Sequence, residues 1–430
     1  MSTINLQPDS AHVVLRPRTW KLPIALSIFT VATLAMFLST PRRAISRIVI
    51  DTGNSHWGVA SWNLPAFYVI LLLIVGMACV TVFAWWMTFT RTEALGKVRV
   101  GTLLGVAYGA LFISAFLIWA VADKSGTLPV TSLLKGALFC SIPLIFGGMA
   151  GTVCERVGVI NVSIEGQLLA GAFLAGAVGA WTKNPWIGLV TAPIAGALVG
   201  ALLALFAVKY WVDHIVVGVV LNVLVLGVTT YFYSTILTKY AVFSVAVKLP
   251  TWKIPLVSKI PVLGPVLFDQ GVLVYVMYVA VIILQIMLFK SKWGLRLRSC
   301  GEHPRAADTM GIKVNRTRVR NTILGGAIAG LGGAYFTVAE GLSFNGGMSG
   351  GRGFIALAVM ILGGWKPSRI VLAALLFGFA DQLAKTLQSA GVDIPGQFMS
   401  MAPYLITIFA VAGLVGRVHP PAMEGKPYKG

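Results

Sequence analysis

The chain has 430 residues, of which 57% are hydrophobic and 11% charged. Soluble globular domains carry roughly 25% charged residues, so the composition excludes a soluble protein and points to an integral membrane protein. The net charge of +20 comes from Lys and Arg between apolar runs, with no aromatic-interleaved basic surface, so it marks topology and anionic-lipid contact and excludes nucleic-acid binding.

The first apolar run, Leu22–Leu38, follows Arg16, Arg18 and Lys21. It is long for a signal peptide, and STPRRA after it is a poor cleavage site, so it is read as a retained span. Further spans are expected at Leu64–Met87, Gly101–Val121, Leu134–Val153, Gln167–Trp181, Trp186–Val208, Ile215–Ile236, Gly271–Phe289, Val319–Glu340, Phe354–Gly364, Ile370–Leu387 and Met401–Val415. The fold class is therefore all-α integral membrane, with about twelve transmembrane helices close to the ~20 residues that cross a bilayer. Phe354–Gly364 is short and reads as half of a broken helix, the other part being the glycine-rich run before it.

The loop Lys290–Arg320 holds nine Lys and Arg against Glu302 and Asp308, which places it in the cytoplasm. Alternation then puts both termini inside, with one discordance, Arg42, Arg43 and Arg47 outside. Within the loop, CGEHPRAADTMGI predicts a short capped helix: Glu302 just ahead, Pro304 in the first turn and Gly311 past the end. The loop Thr238–Gln270 falls outside, and its proline density excludes a long helix and favours an extended, rigid surface.

Two segments match 185 residues apart, GGMAGTVCE at Gly147–Glu155 and GGAYFTVAE at Gly332–Glu340. Each is followed by a polar break, Arg156–Gln167 and Gly341–Gly353, and then a further apolar run. The copies begin an odd number of spans apart, so they should run in opposite directions. Inverted repeats around interrupted helices mark transporters, and the breaks line the route. Glu165 and Arg352 hold equivalent repeat positions, but inversion should send them toward opposite faces, so no ion pair is expected between them. Asp381 and Lys385 are four apart and are expected to pair along one helix. Asp213 and His214 read as the cytoplasmic edge of a span. Asn222 reads either as a helix–helix hydrogen bond or as a pore contact.

Cys79, Cys140, Cys154 and Cys300 are scattered and show neither disulfide nor metal spacing. No phosphate loop, serine elbow or zinc-protease motif occurs, so the chain is not read as an enzyme, and no cofactor is expected in it. Energy for uphill transport would come from ion coupling or from another subunit.

Three stretches resemble a known family: ERVGVINVSIEGQLLAGAF at Glu155–Phe173, WKIPLVSKIPVLGPVLFDQ at Trp252–Gln270, and LRSCGEHPRAADTMGIKV at Leu297–Val314. They are similar to the permease subunits of bacterial type II ABC importers, in the nucleoside and simple-sugar branch. The resemblance covers most of Gly136–Gly416. It implies a multi-pass permease core at residues 101–416, preceded by a cytoplasmic tail and two extra helices in 1–100 and followed by a cytoplasmic tail at 417–430, all in the bacterial inner membrane. It also implies a second, homologous permease, ABC ATPase subunits that are often fused in one chain, and an external substrate-binding lipoprotein.

On that resemblance the short loop helix is the coupling helix. Glu302, Arg305, Ala306, Ala307, Asp308 and Gly311 would form its ATPase contact, with Ala306, Ala307 and Met310 as a small apolar face. The substrate path would run by Asn161, Ser163, Glu165, Gly166, Asn222, Asn345, Ser349 and Arg352. The substrate would be a nucleoside; the alternatives are a ribose-like sugar or branched-chain amino acid within the same family, or an ion-coupled secondary transporter.

Overall fold

The computed structural model describes residues 20–39, 45–51, 59–90, 97–122, 128–243, 247–341, 343–391, 401 and 419–429. Apart from Met401, the expected span Met401–Val415 lies outside these residues, as do the tail before Trp20 and Arg42 and Arg43. Ten helices among the described residues are long and apolar enough to cross a membrane, and an eleventh, Arg352–Gly363, is apolar but short.

Two compact units form. The first holds α1 (Lys21–Ser39), α2 (Ala66–Phe89) and α3 (Lys97–Val121). Lipid tails are as apolar as leucine, so burial alone does not hold such helices together; packing and interhelical hydrogen bonds do. Here the Thr30 hydroxyl of α1 lies 3.1 Å from that of Thr81 in α2 and 3.0 Å from that of Tyr108 in α3.

The second unit holds α4 (Val130–Arg156), α5 (Ile164–Thr182), α6 (Pro185–Ala204), α7 (His214–Phe232), α8 (Leu263–Phe268), α9 (Val272–Lys290), α10 (Lys292–Glu302), α11 (Pro304–Thr309), α12 (Val314–Ala334), α13 (Arg352–Gly363) and α14 (Pro367–Ser389). Helices α6, α7 and α12 run on through π-helical turns to Lys209, Leu237 and Gly341. α4 is the central post, almost wholly buried. Its Pro143 is tolerated because neighbouring helices enclose the loosened turn.

The expected repeat is present as geometry. Cys154 packs on Thr322 and Gly325, Phe146 on Gly332, and Phe139 on Tyr335, so α4 and α12 run antiparallel. Glu155 therefore lies at the α11 end of the bundle, where Trp365 Nε1 donates to it at 2.6 Å. Glu340 lies at the other end, where Lys385 Nζ approaches to 3.2 Å. α12 is also locked to α6 through glycines four apart on each helix, Gly196 and Gly200 against Gly326 and Gly330, whose absent side chains let backbone meet backbone.

The proline-rich loop contains no long helix, as expected, but it is stapled rather than simply extended. Strand Thr251–Lys253 pairs antiparallel with Asp269–Gly271, and Asp269 receives Lys135 at 3.3 Å and Lys253 at 3.8 Å.

Candidate functional site

The chain leaves α4 at Val157 and turns at Gly158, whose φ of +95° is a left-handed conformation natural to glycine. The break that follows is held from within. Asn161 Nδ2 donates to Gln167 Oε1 at 3.0 Å, Gln167 Nε2 donates back to Asn161 Oδ1 and to Ser163 Oγ, and Ser163 Oγ donates to Asn161 Oδ1 at 2.8 Å. All three side chains are fully buried. Asn161 and Ser163 thus satisfy polar groups inside the break and do not face an open path.

Glu165, in the first turn of α5, reaches across to the second break. Its Oε1 accepts from Ser349 Oγ at 2.6 Å and Gly351 N at 2.8 Å, and its Oε2 accepts from Gly353 N at 2.6 Å. These amides open α13, so the carboxylate satisfies otherwise orphaned donors at a helix N-terminus and complements its dipole. The Gly353 backbone packs on Glu165 so closely that a Cβ would strike Glu165 N and Cα. The two breaks meet, and Glu165 bonds to the residues on either side of Arg352, which corrects the expectation that inversion sends Glu165 and Arg352 toward opposite faces. Each break leads into a helix whose first turn lies against the other. The expectation of no Glu165–Arg352 ion pair stands: Arg352 lies 3.6 Å from Asp381 and over the Phe336 ring.

Asn222 proves to be the helix–helix link. Its Oδ1 accepts from Gly166 N at 2.8 Å and its Nδ2 donates to Val162 O at 3.0 Å, fixing α7 to the first break. The predicted Asp381–Lys385 pair is not made; Asp381 turns to Arg352 on α13 and Lys385 to Glu340 at the end of α12. Interhelical partners of opposite charge lie closer than the helix's own next turn. Asp213 caps α7 through Ile215 N and Val216 N, and buried His214 accepts from Ile160 N at 3.2 Å.

Beside the second break lies an aromatic group that sequence reasoning missed. Phe344 packs edge-on against Phe173 at 5.2 Å and near Tyr233 at 5.8 Å, while Phe173 also meets Phe232. Tyr233 OH lies 3.3 Å from Asn345 Oδ1, and both Asn345 and Phe232 are exposed. These residues lie far apart in sequence and in three elements, so only the fold assembles them.

The short loop helix forms as expected. α11 starts with Pro304 at its first position and stops before Gly311, whose φ is +78°. With α10 it makes an elbow. Gly301 packs against the Arg156 carbonyl at the end of α4, and Glu302 lies 4.0 Å from Arg156. One expectation is corrected here: Ala307 is buried against the bundle, while Met310 is 81% exposed and Ala306, Arg305 and Asp308 are exposed with it. Ala307 anchors the helix, and Ala306 and Met310 form its outward apolar face. They border a groove of about 680 Å³ between α10, α11 and α12 that Arg296, Lys313, Arg316 and Arg320 make basic.

Comparison with known proteins adds identity to this geometry. The guanosine ABC transporter permease protein NupQ of Bacillus subtilis (strain 168) is 36% identical over 305 residues, covering 69% of this chain and 96% of that protein. The nucleoside ABC transporter permease protein NupC of Lactococcus lactis subsp. cremoris is 38% identical over 309 residues, covering 69% and 96%. The putative glucose ABC transporter permease protein TsgC13 of Haloferax volcanii is 32% identical over 307 residues, covering 66% and 92%. No solved structure matches the chain. Residues 132–412 match the family described as branched-chain amino acid transport system / permease component, a stretch that takes in the meeting breaks and the elbow alike, and the chain belongs to that family.

Proposed function

We propose that this chain is one permease subunit of an ATP-driven importer of nucleosides in a bacterial inner membrane. The observation that carries the reading is the junction of the two breaks: half-helices that meet inside the bundle through Glu165, next to an aromatic and amide group open on one side. Interrupted helices at membrane depth are tolerated where they are buried in protein or line a water-filled cavity, and the exposed Asn345 and Phe232 put the second break beside such an opening. A nucleoside is neutral, with a flat base and a polar sugar. Phe232, Tyr233 and Asn345 offer ring faces and an amide for it; a stacked base gains about 1–3 kcal/mol. The naming of two relatives for guanosine and nucleoside transport supports the same class.

The family supports the remaining parts of this reading. A second, homologous permease completes the path, an ABC ATPase docks on Ala306 and Met310 of α11, and an external lipoprotein delivers the solute to the proline-rich loop. Both termini are then cytoplasmic. A sugar is the second reading, favoured by the relative named for glucose. Purification in mild detergent tests the assembly: a second permease and an ATPase should accompany the tagged chain. Recovery of the chain free of any ATPase from cells that express the whole system would defeat the reading. Competition of nucleoside uptake by excess glucose would move the substrate to the second reading.

A further inference from the structure

Residues 419–429 lie across the α11 end of the bundle as a strap. Met423 N donates to Gly301 O at 2.9 Å, and Gly425 N donates to Gly158 O at 3.1 Å. These acceptors sit on either side of the place where Gly301 presses on the end of α4. Gly425 has φ +72°, and a Cβ on it would come within 2.8 Å of Ile160. Ala422 N donates to Glu302 Oε2 at 3.2 Å, and Tyr428 OH donates to Asp308 Oδ2 at 2.9 Å. From beneath, Arg318 Nη1 donates to Lys426 O at 2.8 Å and Asn315 Nδ2 to Tyr428 O at 3.4 Å. Arg318 is 1% exposed, and its Nε and Nη2 have no hydrogen-bond partner among the described residues. Lys429 lies over the Trp211 ring in the turn before α7, at 4.8 Å.

The mechanical meaning follows from size. α11 has six residues, far below the length at which a helix is stable alone. It is bounded by His303 and by Gly311, so a force on it would be absorbed as bending at those joints unless something braces it. The strap grips α11 at Asp308, α10 at Gly301 and Glu302, the first break at Gly158, α12 at Arg318, and the α6–α7 turn at Trp211. Removing it would also take the Lys426 carbonyl from a buried guanidinium whose Nε and Nη2 lack a partner among the described residues, a costly loss.

We infer that the strap is the positioning element that makes α11 and the first break move as one body, with Tyr428 and Gly425 as its positioning residues. This rests on the reading of α11 as the ATPase contact. The test uses the complete importer in vesicles, reading labelled guanosine uptake and ATP hydrolysis together. Tyr428→Phe deletes one hydroxyl from a half-buried ring; it should leave hydrolysis unchanged and lower uptake per ATP about fivefold, the scale of one net hydrogen bond. Gly425→Val, in a left-handed position, should lower the ratio further; if that variant fails to assemble, Tyr428→Phe alone decides. An unchanged ratio in Tyr428→Phe, or a parallel fall in hydrolysis and uptake, overturns the strap. Met310→Arg separates the two readings: it should strip the ATPase from the complex whatever the strap does. Retention of a fully active ATPase by Met310→Arg sinks the coupling reading of α11 instead.

Discussion

Glu165 joins two half-helices through three hydrogen bonds. Replacing it by alanine leaves Gly351 N and Gly353 N without their acceptor. The expected cost is about 3 kcal/mol, since each unsatisfied donor costs roughly 1–3 kcal/mol; thermal unfolding of the purified protein measures it, with uptake lost in parallel. Glu424 makes a second residue-scale prediction. Burial in the strap raises its carboxyl above the usual range. A raised folded value means its contribution to docking is full below the ordinary carboxyl pKa and fades as pH rises through the folded one. A spin label at Pro427 should therefore grow more mobile as pH rises through that window, and Glu424→Gln should flatten the response. Glu165 was visible in the sequence as a member of a motif, but its partners were not, because the two breaks are brought together only by the folded antiparallel pair.

At the scale of elements, helix positions were legible because apolar runs of spanning length leave the backbone few other states in lipid. The capped loop helix was legible for the same local reason, with proline and glycine in the order a short helix needs. Which face it turns inward was not legible; Ala307 is buried in the core where α11 packs between α10 and α12, and only the folded bundle sets that face. Lys385 and Asp381 teach the same lesson: spacing on one helix suggested a pair, and Glu340 and Arg352 on other helices took both partners. The α6–α12 glycines yield a sharp prediction. A side chain at Gly330 would meet the Ala192 carbonyl and the Gly196 backbone. Gly330→Val should force the helices apart at a cost of about 3 kcal/mol or more, seen as loss of monodisperse protein on size exclusion, whereas Gly227→Ala on α7, with open space around it, should behave as wild type.

At the scale of the molecule, the inverted repeat was readable from five shared residues in nine, and the antiparallel α4 and α12 realise it. The repeat sets its two terminal acids at opposite ends, Glu155 beside Trp365 at the α11 end and Glu340 beside α14. The aromatic group at Phe173, Phe232, Tyr233 and Phe344 was not readable, since no local pattern links residues on α5, α7 and the second break. The most direct measurement of the central claim is labelled guanosine uptake into vesicles that hold this chain with its partner permease, ATPase and binding lipoprotein. Uptake should require hydrolysable ATP, withstand collapse of proton and sodium gradients, and fall sharply in Asn345→Ala. Uptake by this chain alone, driven by an ion gradient and indifferent to ATP, would contradict that claim.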